Sequence, residues 1–260
     1  MASGTKRDRE GKPREDVVPR GRFHAMFEQF RDELDEHHDR RERIIKASRD
    51  VTAHSKKIVK TINRDLPANT WQEVNSRTSQ IATLLESVKA DLQDENRDRY
   101  SWQMRGMEEL VEALSLSHYL RTQKLISPAE AQAAVPADVS LTTRDYLFGV
   151  LDLFGELMRF ATVHREAVLP ALHHHHDGDG ESNDEESHRR PVLRDLQELA
   201  CTFEALPPAS NPKDWYSKLE AMRQSVRKVE DLGYGLVVRG SERPSGWLPE
   251  AKDEEMVTVV

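Results

Sequence analysis

The chain has 260 residues, 37% of them aliphatic or aromatic and 32% charged, with a formal net charge of -8. That length holds one large domain or two small ones, and the acidic balance excludes a generally basic nucleic-acid binder while leaving room for a local basic groove. Ala, Leu, Glu, Arg, Gln and Lys dominate and runs of β-branched or aromatic residues are scarce, so composition predicts an all-α fold, to which the elements in chain order give six or seven helices.

Residues 1–21 are polar, with seven bases against four acids over 1–22 and with Pro13 and Pro19, and are expected to form a disordered basic tail. Within it "KRDREGKPR" has the composition of a nuclear-import tract. The N-terminus has no apolar run of the kind that opens a signal peptide, and no stretch reaches the roughly 18 apolar residues of a membrane span. Cys201 is the single cysteine, so no intrachain disulfide is available. The expectation is a soluble intracellular protein with no membrane contact. Cys201 itself, in "ELACTFEAL", is expected to be a small buried hydrophobe.

From Phe23 to about Arg64 there is neither Pro nor Gly. Phe23, Phe27, Phe30, Leu34, Ile45, Val59 and Ile62 recur at helical spacing, which predicts one very long helix packed along a single stripe. Pro67 in "DLPANT" stops it, and Asn69 or Thr70 caps the next. A second helix is expected over about Trp71–Gln93, with Ile81, Leu84, Leu85, Val88 and Leu92 as its apolar stripe. A third runs from about Arg97 to Lys124. "ISPAE" then places Ser127 as N-cap, Pro128 at the first helical position and Glu130 at the third, which predicts a short helix. "LTTRDYL" starts another, capped by Thr142 or Thr143 and reaching about Val168. The insert at 173–190, "HHHHDGDGESNDEESHRR", has nothing to bury and is expected to be a disordered surface loop. Helices resume over about Val192–Leu206 and Lys213–Val238.

Two pairs of acids stand out. A helix advances about 100° per residue, so Glu109 and Glu112 share one face, a turn apart, with Glu108 at the edge of that stripe. In the later helix Asp152 and Glu156 share a face, opposite the apolar stripe that includes Val150, Leu151, Phe154 and Ala161. Gly149 lies one turn before both, where a ligand or a close backbone needs the space. Spacing alone leaves two readings open, solvated helix faces or hard-oxygen ligands for Mg²⁺ or Mn²⁺. No histidine joins either pair, which disfavours a di-iron site of the Glu-x-x-His kind.

"FEQFRDELDEHHDRRERIIKASRDVTAHSKKIV", "MEELVEALSLSHYLRTQKLIS", "DYLFGVLDLFGELMRFA" and "KLEAMRQSVRKVEDLGYGLVVRGSE" occur in this order and cover most of residues 23–244. Together they resemble the translin superfamily, on the branch that carries a full acidic site rather than translin itself. The resemblance implies a translin-like bundle of about seven helices with a very long first helix, forming a single domain over 22–244 with a tail at 245–260. It implies assembly with translin into a closed hetero-octamer, in the cytoplasm and nucleus, and a Mg²⁺-dependent endoribonuclease, with Mn²⁺ as the alternative metal, cutting single-stranded RNA such as small-RNA or tRNA-precursor fragments. The family's catalytic and metal-binding acids fall on Glu109, Glu112, Asp152 and Glu156; Glu108 falls outside the motif. Arg105 and Arg159 share the acidic faces of their helices and stand either as RNA-binding residues or as salt-bridge partners of the acids. The competing reading is a non-catalytic nucleic-acid-binding subunit that stabilises translin. DNA is the weaker nucleic-acid ligand, because no helix carries clustered bases.

Overall fold

The computed structural model describes residues 21–63, 70–93, 95–136, 139–168, 190–208 and 211–242. The expectations for both tails, for the insert at 173–190 apart from Arg190, and for Pro67 and Asn69 lie outside the described residues. Among the described residues there are eight α-helices: α1 (His24–Ile62), α2 (Thr70–Val88), α3 (Glu95–Tyr100), α4 (Gly106–Thr122), α5 (Pro128–Ala134), α6 (Thr143–Val163), α7 (Val192–Glu204) and α8 (Pro212–Glu242). The fold is all-α, as composition predicts.

The chain divides into a unit ending at Arg43 and a unit beginning at Ile44. In the first, Phe23 and the opening half of α1 carry Phe23, Met26, Phe27, Phe30 and Leu34 on one stripe, and all five are exposed. Side-chain contacts one turn apart, His24 with Glu28 and the ion pair of Arg40 with Glu36, support the helix locally. The expected packing of this stripe is therefore absent from this half of α1. In the second unit the helix does bury a stripe, through Ile44, Ala47, Val51, Ile58, Val59 and Ile62. Ile45 is only half-buried there, and Ile44 takes the deep position.

The third predicted helix is interrupted. α3 ends at Tyr100, a 3-10 turn covers Ser101–Gln103, and α4 restarts at Gly106. The restart comes where Gly106 meets α1: its amide donates to Ser48 Oγ at 3.0 Å, and a Cβ at that position would stand 2.5 Å from the Ser48 carbonyl oxygen. Only glycine lets the two backbones come this close. The far end of α4 closes on Gln123, at φ 54, whose amide donates to the Tyr119 carbonyl.

The caps follow the sequence. Ser127 and Glu130 form a capping box before α5, and Thr142 and Asp145 form one before α6. Phe148, Phe154, Phe203 and Trp215 join α6, α7 and α8, with ring centroids 6.1–6.3 Å apart. Burying each such ring stabilises by roughly 1.5–3 kcal/mol, so α6 is held firmly against the last two helices. Cys201 departs from expectation. It is exposed, because α7 buries Val192, Leu196 and Phe203 and turns residue 201 away from that face.

Candidate active site

α4 and α6 pack against each other, and Gly149 sets how close they come. A Cβ on Gly149 would lie 2.6 Å from Val111 Cβ and 2.7 Å from the Glu108 carbonyl oxygen. The glycine beside the two acids thus serves a close backbone. This approach turns the acidic stripe of α6 toward that of α4, and Glu109, Glu112, Asp152 and Glu156 line one cavity of about 920 Å³. The expectation that Asp152 and Glu156 point away from the buried face is corrected. α6 has a second covered face, and Glu156 is buried on it.

The second half of α1 closes the cavity with Lys56, Val59, Lys60 and Asn63, and Arg159 adds a third base. Three of the four acids have a partner of their own. Lys56 pairs with Glu109 at 3.2 Å. Glu156 accepts from Asn63 Nδ2 at 2.6 Å and from Arg159 at 2.8 Å. Asp152 accepts from Lys218 Nζ at both oxygens, at 2.7 and 2.5 Å. Glu112 is buried among the negative charges. Burial first, then the charges of Asp152, Glu156 and Glu109, push its carboxyl up to about 8. Burial also raises Asp152 and Glu156, against the pull of Lys218 and Arg159.

Sequence reasoning missed several of these residues. Lys56, Lys60 and Asn63 recur at i, i+4 and i+7 on α1, a stripe that spacing alone would have found. Lys218 had no such signal, since only the packing of α8 on α6 brings it to Asp152. Glu108, at the edge of the wheel, is buried and pairs with Arg144 and Lys218. Arg105, by contrast, is exposed at the start of α4, over the Trp102 ring at 5.5 Å, and does not line the cavity. A second cavity of about 210 Å³ lies between Lys89, Met104, Met107 and Thr142. Its one acid, Asp145, is engaged in capping α6, so it offers no comparable chemistry.

Four carboxylates are hard oxygen donors, the kind Mg²⁺ and Mn²⁺ prefer. The buried Oδ1 of Asn63, which has no hydrogen-bond partner, makes Asn63 a fifth side chain with an oxygen donor. The donor set therefore fits a divalent ion. Among the described residues no three acids, histidines or cysteines stand close enough together to hold one as they are, and Glu109, Asp152 and Glu156 are each drawn to a different partner.

Comparison with known proteins agrees with this arrangement of helices. The model of the Translin family matches residues 39–240. Translin-associated protein X of Rattus norvegicus is 30% identical over 93% of this chain and 87% of its own length. The Translin-associated protein X homolog of Schizosaccharomyces pombe is 28% identical over 84% and 89%. Among solved structures, the crystal structure of apo-NeC3PO covers 84% of this chain and 98% of its own, with a TM-score of 0.58 at 16% identity, a likeness of fold. With a family match over most of its length, the chain belongs to the Translin family.

Proposed function

We propose that this chain is the catalytic subunit of an assembly with translin, a Mg²⁺-dependent endoribonuclease acting on single-stranded RNA. The observation that carries the reading is the convergence of Glu109, Glu112, Asp152 and Glu156, from two helices, on one cavity rimmed by Lys56, Lys60 and Arg159. Resemblance to proteins named for association with translin supports the partnership, and the exposed apolar stripe of Phe23, Met26, Phe27, Phe30 and Leu34 is the kind of surface a partner helix covers.

The four acids and Asn63 would hold the metal, which when bound supplies an activated water and charge stabilisation at the scissile phosphate. Lys56, Lys60 and Arg159 hold the RNA backbone beside the acids, whose charge would otherwise repel it. Glu109 or Glu112 supplies a carboxylate oxygen to accept the proton of the attacking water.

The test is cleavage of a labelled single-stranded RNA by the chain with translin, with and without Mg²⁺. Glu112→Ala is expected to abolish cleavage while the assembly still forms, and unchanged cleavage by that variant would sink the reading. The competing reading, a non-catalytic subunit, draws on the acids being already partnered by Lys56, Lys218, Arg159 and Asn63. It predicts RNA retention without metal and no cleavage with it.

A further inference from the structure

The charged partners of two cavity acids are cheap to displace. Lys56 beside Glu109 and Arg159 beside Glu156 have side chains 64% and 67% exposed, so both return readily to water. Asp152 is different. Its partner Lys218 has a side chain only 23% exposed, gripped by both carboxylate oxygens and lying 5.1 Å from the centre of the Phe148 ring. Lys218 does not line the cavity; it comes to Asp152 from α8, outside it.

Asp152 cannot serve a cation while both of its oxygens accept from Lys218. An enclosed ammonium does not exchange its carboxylate for nothing, because its desolvation is then uncompensated. A second carboxylate within reach removes that penalty, and Glu108 supplies it. Glu108 Oε2 stands 3.8 Å from Lys218 Nζ. Its other oxygen, Oε1, accepts from Arg144, whose guanidinium lies over Trp102 and Phe148 at 4.4 and 4.5 Å. Glu108 is buried and does not line the cavity, so it is fixed in place and kept apart from the four acids. Charge-assisted N–H···O bonds settle near 2.8 Å, so a shift of about 1 Å moves Lys218 from one acceptor to the other.

We propose that Lys218 is an internal counter-cation with two seats, and that Glu108 is the positioning residue that receives it when a divalent cation takes Asp152. The proposal rests on the metal-site reading above. Without metal, Lys218 keeps Asp152 in place and neutralised. With metal, it passes to Glu108, and Arg144 keeps Glu108 aimed at it.

Calorimetric titration of the full-length chain with Mg²⁺ tests this in four forms: wild type, Glu108→Gln, Lys218→Met and the double variant. Glu108→Gln is expected to weaken Mg²⁺ binding about tenfold, because Lys218 then stays on Asp152, whereas in the Lys218→Met background the same change alters affinity less than about twofold. Lys218→Met alone binds Mg²⁺ at least as tightly as wild type. Wild-type affinity in Glu108→Gln, or an equal loss in both backgrounds, overturns the proposal and leaves the metal site standing. A wild-type chain that binds no Mg²⁺ overturns both. Melting curves without Mg²⁺ check that each variant folds. If Glu108→Gln does not, Lys218→Met decides alone, and an affinity tenfold below wild type refutes the proposal.

Discussion

Gly149 and Val111 set the spacing of the two acid-bearing helices: a Cβ on Gly149 would stand 2.6 Å from Val111 Cβ, with the Glu108 carbonyl oxygen at 2.7 Å. One of these neighbours is backbone and the other a fully buried β-branched side chain, so neither yields easily. Gly149→Ala gains up to about 1 kcal/mol of helix propensity but forces α4 and α6 apart, and overpacking of this kind typically destabilises by about 1–3 kcal/mol. The expected result is a net loss in denaturant unfolding. Gly155, on the same helix, has open space where its Cβ would be, so Gly155→Ala should stabilise by about 0.5–1 kcal/mol. If both alanines behave alike, the close approach is not what Gly149 provides.

Glu112 gives the chain a pH signature. Its carboxyl lies at about 8 in the fold, above its ordinary 4.5. The folded state thus binds the proton more tightly than the unfolded state, and stability falls as pH rises between those two values. Glu112→Gln removes the penalty. Without Mg²⁺ its melting temperature should match wild type near pH 5 and exceed it above pH 8, the gap there corresponding to on the order of 1–3 kcal/mol. Adding Mg²⁺ should raise the wild type and not the variant. A gap that is flat with pH would show that the Glu112 charge is not the source of strain.

The cavity bases should appear in the salt dependence of RNA binding. For single strands, each lost phosphate contact reduces the slope of log affinity against log salt by about 0.7. Lys60→Ala and Arg159→Ala are each expected to weaken binding and flatten the slope by that amount, measured by fluorescence anisotropy without Mg²⁺ between 50 and 200 mM salt, the span over which such losses are large. Arg105→Ala should leave the slope unchanged, since Arg105 does not line the cavity.

The exposed stripe at the start of α1 should govern assembly rather than folding. Phe27 and Leu34 are 63% and 67% exposed. Phe27→Glu with Leu34→Glu is expected to abolish co-elution with translin in size-exclusion chromatography with light scattering. The circular dichroism of the isolated chain should be unchanged, because neither side chain is buried in it. Retained co-elution would place the partner contact elsewhere.

Much of this protein is legible in its sequence. Helix-forming composition, the proline- and glycine-free run of α1, and the capping boxes at Ser127 and Thr142 depend on neighbours three or four residues away, and such local rules need no tertiary information. The pairing of Glu109 with Glu112, and of Asp152 with Glu156, is legible for the same reason. Tertiary structure decided the rest. Only packing shows that Gly149 brings the two pairs to one cavity, that Gly106 breaks the third helix against Ser48, and that Cys201 faces outward. Glu108 and Lys218 are the clearest case. On a helical wheel the first is a peripheral acid and the second one base among many, because an ion pair across 110 residues is set by how α4 and α8 both lie on α6, and no local periodicity records that.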